Sequence, residues 1–168
     1  RRILDRLIAA EGLEKYLGTK YPGTKRFGLE GGESFIPCLG ELIHRAGSSG
    51  VAETVIGMAH RGRINVLVNI LNKTYDQLFT EFEENWAEAY VSGGGDVKFH
   101  LGYSADLMTD GGKPIHVTLA ANPSHLEFGH SVVLGKARAR QRIQHDENRR
   151  LCIPLLVHGD ASFPGQGI

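Results

Sequence analysis

The chain reads as an α/β protein, a mostly parallel sheet flanked by helices, and three observations predict it. Apolar runs at 51–58, 115–120 and 151–157 have the length of buried strands. Between them lie segments with apolar residues every three or four positions, the mark of a helix with one core-facing stripe. Each run also ends in a polar turn that opens the next helix: His60-Arg61, Asn122 to Leu126, and Gly159 to Ser162. Right-handed crossovers would bring all three turns to one edge of a parallel sheet.

The 168 residues suit one domain or a large part of one, and 19 Lys and Arg balance 19 Asp and Glu. That balance argues against nucleic-acid or membrane-surface binding through bulk charge. No apolar run is long enough to span a bilayer, and no secretory signal pattern opens the chain. Cys38 and Cys152 lack CxxC spacing, which disfavours a disulfide framework or zinc knuckle and fits a reducing compartment. A start at Arg1 without Met, and an end at Ile168 just where a helix should begin, mark a piece of something longer. The expected division is an N-terminal helical segment over 1–25 and an incomplete α/β domain over 26–168.

In order, Arg1 to Tyr21 is an amphipathic helix with Ile3, Leu4, Leu7, Ile8 and Leu13 at helical spacing, weakened by Gly12. A glycine-rich bend, Lys25 to Glu33, leads to a helix from about Glu33 to Ala46. Pro37 fits its first turn, and Gly47 is its natural stop. A strand over Val51 to Met58 and a helix over Ile64 to Leu71 flank Ala59-His60-Arg61-Gly62-Arg63. Tyr75 to Tyr90 is a helix with Leu78, Phe79, Phe82 and Trp86 on one side. The break Ser92 to Asp96 and a polar-flanked segment, 97–104, lead into a loop at Thr109 to Lys113. After the strand at Ile115 to Ala120, Pro123 biases Asn122 toward an extended backbone. Ser124 and Glu127 then have capping-box spacing for a helix over His125 to Gln144. Its Lys136, Arg138, Arg140 and Arg142 suit a helix C-terminal half and read as a solvated face.

The chemistry concentrates in the polar turns. A strand-to-helix loop is the favoured address for anion recognition, and the Arg61 guanidinium donates two parallel hydrogen bonds to a phosphate or carboxylate. His60 can donate, accept or shuttle a proton near neutral pH. With His100 and Ser104 it would make two imidazoles and a hydroxyl, suited to an anionic, carbonyl-bearing substrate. Phe27, beside a glycine-rich bend, reads as a core aromatic or a pocket wall. Asp160 is hard, anionic and short, which suits Mg²⁺, although the same residue also fits the cap of a following helix. Gly159, Gly165 and Gly167 would let the backbone approach a diphosphate. No GxGxxG, Walker or HExxH fingerprint is present.

Taken together, several stretches resemble the first, decarboxylating component of the 2-oxoglutarate dehydrogenase complex, a thiamine-diphosphate enzyme family. They are Arg26 to Gly32, Gly57 to Arg63, Gly95 to His100, Ala121 to Glu127 and His158 to Ile168, in the family's order across nearly the whole chain. The resemblance implies part of a diphosphate-binding domain with thiamine diphosphate and Mg²⁺ as cofactors. It implies that Asp160 binds the metal, and that Arg61, Ser124, Leu126, Asp160, Ala161 and Ser162 surround the cofactor. Ser162 stands where Ala is commoner. His60 and His100 would be catalytic; Phe27, His60, His100 and Ser104 would bind substrate. An Asn-Asn segment completing the metal site would follow Ile168, and so would the pyrimidine-binding domain. The implied partners are 2-oxoglutarate, a lipoyl-bearing succinyltransferase and a second copy of the full-length protein. The implied location is cytoplasmic in a bacterium or the mitochondrial matrix in a eukaryote. A 2-oxoadipate dehydrogenase, a carboligase on the same cofactor, and a non-catalytic diphosphate-binding fragment are the alternative readings.

Overall fold

The computed structural model describes residues 1–92, 100–124 and 126–165, with the backbone alone over 84–92. Gly95 to Phe99, His125, Gly167 and the Trp86 side chain therefore lie outside the described residues. The chain clusters into two compact units, one of residues 1–37 and 61–101, the other of residues 38–60 and 102–168.

The first unit is helical: α1 (Arg2–Lys20), α3 (Arg63–Asn69) and α4 (Tyr75–Ser92). Its core joins Leu13, Leu17 and Tyr21 to Ile64 and Val68 of α3 and to Leu78 and Phe82 of α4. Neighbours in this set are four residues apart along each helix, so one stripe per helix turns inward. Tyr21 stacks on Phe82 at 4.7 Å between ring centroids. Gly12 does not break α1, and a Cβ there would meet nothing within 4 Å. The expected apolar face of α1 is only half used. Ile3, Leu4 and Ile8 are exposed, while Ala10, Leu13, Glu14 and Leu17 are buried. The reason is polar as well as apolar: Asn65 Nδ2 donates to Ala10 O and to Glu14 Oε1, both at 3.0 Å, and fixes α3 against the C-terminal half of α1.

The second unit carries the sheet. Its strands are β1 (Glu53–Met58), β2 (Tyr103–Met108), β3 (Pro114–Leu119) and β4 (Cys152–Val157), in the order β2-β3-β1-β4. β1 pairs parallel with β3 and β4 and is buried at every position, as a central parallel strand requires. β2 was not foreseen as a strand; it pairs antiparallel with β3 at the sheet's edge. Its alternation of half-buried Tyr103, Ala105 and Leu107 with exposed Ser104, Asp106 and Met108 is that of a one-sided edge strand.

Two helices cover the sheet. α5 (Phe128–Ile143) lays Val133 and Ala137 on Val55 and Cys152. Val55 is in register with Thr118, so Ile115 and Val117 point to the opposite face. There α2 (Phe35–Ser48) approaches through Gly47, where a Cβ would sit 2.6 Å from Thr109 Cγ2 and 3.2 Å from Ile115 Cβ. Gly47 is thus a packing residue inside α2 rather than its stop; Gly50, at φ +102, follows the helix instead. The solvated-face reading of α5's cations fails at Arg140, whose Nε donates to both oxygens of Glu53 at 2.9 and 2.7 Å. Gln144 Nε2 adds a third hydrogen bond at 2.9 Å, which satisfies a carboxylate buried in the sheet.

The loop into β4 is organised by Asp146. Its carboxylate accepts from the backbone N–H groups of Arg150, Leu151 and Cys152 at 2.9, 2.7 and 3.2 Å. Burial by itself would raise this carboxyl's pKa. The backbone donors outweigh burial and hold it below the ordinary value of 3.8.

Candidate functional site

The second unit brings several of the expected residues to one rim. Because β1, β3 and β4 run parallel, the residues following Met58, Leu119 and Val157 leave the sheet at the same edge. β2 runs the other way, so its first residues, Tyr103 and Ser104, lie beside Leu119 and Thr118 at that edge. His60, Ser104, Ser124, Leu126 and the turn holding Asp160, Ala161 and Ser162 therefore belong to one end of the sheet. Ala59, Leu126, His130, His158 and Ser162 help line a narrow cleft there. Its cavity of about 20 Å³ is roughly one water in size, so a diphosphate would lie across the rim.

One polar contact between sequence-expected residues joins two of these turns. His60 Nε2 and Ser124 Oγ share a hydrogen bond of 3.2 Å, the ring tautomer deciding which of them donates. Ser124 is thereby turned away from the capping role its spacing suggested. The residue that precedes α5 is Glu127, in a helical conformation and with no side-chain cap. A further departure is Asn122, which takes φ +60 rather than the extended form favoured before a proline. The chain must reverse at the end of β3, and Asn tolerates the left-handed region better than most side chains.

After β4 the chain folds into a tight turn. The backbone N–H groups of Ser162 and Phe163 donate to Gly159 O at 3.2 and 3.1 Å, and Ser162 Oγ donates to the same carbonyl at 3.1 Å. Asp160 stays exposed, and a Cβ on Gly159 would meet nothing within 4 Å, so the turn is open to a ligand. A single accessible carboxylate fits Mg²⁺, which takes one or two carboxylates and completes its shell with phosphate oxygens and water. Among the described residues no group of three or more His, Cys, Asp or Glu gathers to hold a metal by protein ligands alone.

No local pattern marked the imidazole of His130, whose ring meets His158 edge-on at 3.9 Å between centroids. Burial, and then the neighbouring His158, hold His130 below the ordinary value of 6.5, against the opposing effect of Glu127. His158 in turn meets the Phe163 ring at 5.7 Å.

The other expected residues belong to the first unit. Phe27 packs against its apolar core and takes φ +49, and its carbonyl accepts from the Gly62 N–H at 2.8 Å. Arg61 is exposed in the turn before α3, and His100 is half-buried. Arg63, grouped with Arg61 in the sequence, behaves differently: it is fully buried, and its Nη2 donates to Leu101 O at 2.9 Å.

Comparison with known proteins gives these residues a context. No protein-family model matches the chain. It is 56% identical over 166 residues to the 2-oxoglutarate dehydrogenase E1 component of Azotobacter vinelandii, covering 99% of the chain and 17% of that protein. The corresponding protein of Cupriavidus necator is 56% identical over 168 residues, again with 17% of its length covered. That of Brucella anthropi is 50% identical over 178 aligned positions, with 18% covered. The chain thus spans about one-sixth of the length of the curated relatives it matches. With half or more of its residues identical to theirs from end to end, this α/β segment is similar throughout to one part of the 2-oxoglutarate dehydrogenase E1 components.

Proposed function

We propose that this segment is part of an enzyme that oxidatively decarboxylates 2-oxoglutarate and passes the succinyl group to a lipoyl group on an acyltransferase. The observation that carries the reading is the rim of the second unit. His60 and Ser124 are hydrogen-bonded there. The open turn bearing Asp160 leaves the same edge of the sheet. Identity of half or more to proteins named for this reaction supports the choice of substrate.

In this reading Asp160 holds Mg²⁺, and Arg61, Ser124, Leu126, Ala161 and Ser162 surround thiamine diphosphate. When bound, that cofactor supplies a carbon nucleophile and an electron sink for the electron pair released with CO₂. The protein's own share is orientation and charge. His60 and His100, with Ser104 and Phe27, bind the 2-oxo acid. Their imidazoles can donate to its carboxylates or carbonyl and move protons. Ser124, bonded to His60 Nε2, would fix the ring's orientation. A full-length homodimer in the bacterial cytoplasm is the matching setting, since the relatives are bacterial. No described helix is long and apolar enough to cross a membrane.

The test uses the full-length enzyme. His60→Ala should lower decarboxylation by about 100-fold or more while cofactor affinity changes little; unchanged turnover would dismiss the assignment. Asp160→Ala should abolish Mg²⁺-dependent cofactor retention, and tight calorimetric binding by that variant would rule out the metal role.

A further inference from the structure

We propose that Arg63 is a positioning residue for His100: its buried guanidinium anchors the main chain at Leu101 and so fixes where the neighbouring imidazole stands. The inference deepens the function proposed above and rests on His100 acting on the substrate.

The sequence groups Arg61 and Arg63 as two basic residues of one turn, but they occupy opposite environments. Arg61 is exposed, whereas Arg63 has no accessible surface. Removing a guanidinium from water costs several kcal/mol unless its N–H groups are well used, and an apolar side chain would fill the same volume at lower cost. Burial pulls the Arg63 pKa down to about 10, and it remains cationic at neutral pH. One identified use of that charge is the 2.9 Å hydrogen bond from Nη2 to Leu101 O.

The tether matters because of what surrounds Leu101. Leu101 is 59% exposed, so burial of its own side chain does little to hold its carbonyl in place. The base of the tether, by contrast, is rigid. Arg63 opens α3, where residues 63–68 are all buried, and Asn65 ties that helix to Ala10 and Glu14 of α1. One charge-assisted hydrogen bond thus couples a fixed helix to the backbone one residue from His100. An arginine suits this reach better than a lysine, because its planar fork donates from fixed positions.

The experiment is a double-mutant cycle on the full-length enzyme, with Arg63→Lys and Arg63→Gln each made alone and with His100→Ala. Alone, Arg63→Lys should lower kcat about 10- to 100-fold, the cost of a small misplacement of a reacting group, with cofactor affinity unchanged. Combined with His100→Ala, the same substitution should change kcat less than about twofold, since the group it positions is gone. Equal losses in both backgrounds would overturn the proposal, as would wild-type kcat in both Arg63 variants. If neither variant gives folded enzyme, Arg63 is a folding element and the proposal falls. Full activity in His100→Ala alone would instead defeat the functional reading on which it rests.

Discussion

Replacing Gly62 with Ala tests the local architecture between the two arginines. Gly62 precedes α3 with φ +75, a left-handed conformation that costs an alanine about 1 kcal/mol. A Cβ there would lie 2.6 Å from Leu29 Cδ1 and 3.4 Å from its Cδ2 and Cγ. Leu29 is only 5% exposed, so it has little room to retreat, and overpacking of this kind costs roughly 1–3 kcal/mol. The total is about 2–4 kcal/mol. With a urea m-value of about 2 kcal/mol/M, the unfolding midpoint should fall by about 1–2 M. The assay is a urea titration followed by far-UV circular dichroism. Gly12→Ala is the control of opposite sign. It lies within α1 with open space around it, and the change should add about 1 kcal/mol and raise the midpoint by about 0.5 M. An unchanged or higher midpoint for Gly62→Ala would refute both the backbone and the packing terms.

Two further predictions concern pH. Burial is the largest influence on Glu14 and raises its pKa above 4.5, although the Asn65 amide pulls it down. The folded state therefore favours the protonated form, and this contribution to stability is lost as pH rises from 4.5 through the raised value. Glu14→Gln should be at least as stable as wild type at pH 7, with a flatter stability–pH curve across that window. A destabilised variant at pH 7 would contradict it. Asp146 has the opposite sign. Its depressed pKa contributes stability that is fully present above 3.8 and is lost as pH falls through the lower folded value. Asp146→Asn should lower stability at pH 7 and weaken the dependence below pH 4, as measured by urea titrations at several pH values. Equal acid sensitivity in both proteins would show that the backbone cap contributes nothing.

Much of the fold was legible because it depends on local pattern. The apolar runs that became β1, β3 and β4 and the one-sided apolar stripe of α4 follow from side-chain periodicity, which a chain displays before it folds. The polar turns after three strands were legible for the same reason, since parallel strands with right-handed crossovers present those turns at one edge. β2 escaped notice because its alternation is weak and only pairing with β3 makes it a strand. Gly47 was misread as a stop because a helix that packs closely on Ile115 needs a small residue for a reason no local rule contains.

The residue types of the site, and the strand ends that carry them, were determined by the sequence by itself. Which of those residues meet was decided only by the tertiary structure. Ser124 had an equally good local use as a cap, yet it bonds His60, 64 positions away along the chain. Arg61 and Arg63 are alike in sequence, yet one meets solvent and the other lies in the interior with its guanidinium on a distant carbonyl. The physical reason is common to both cases. A polar group's partner is set by competition between local backbone and distant groups, and distant partners become available only once packing has excluded water.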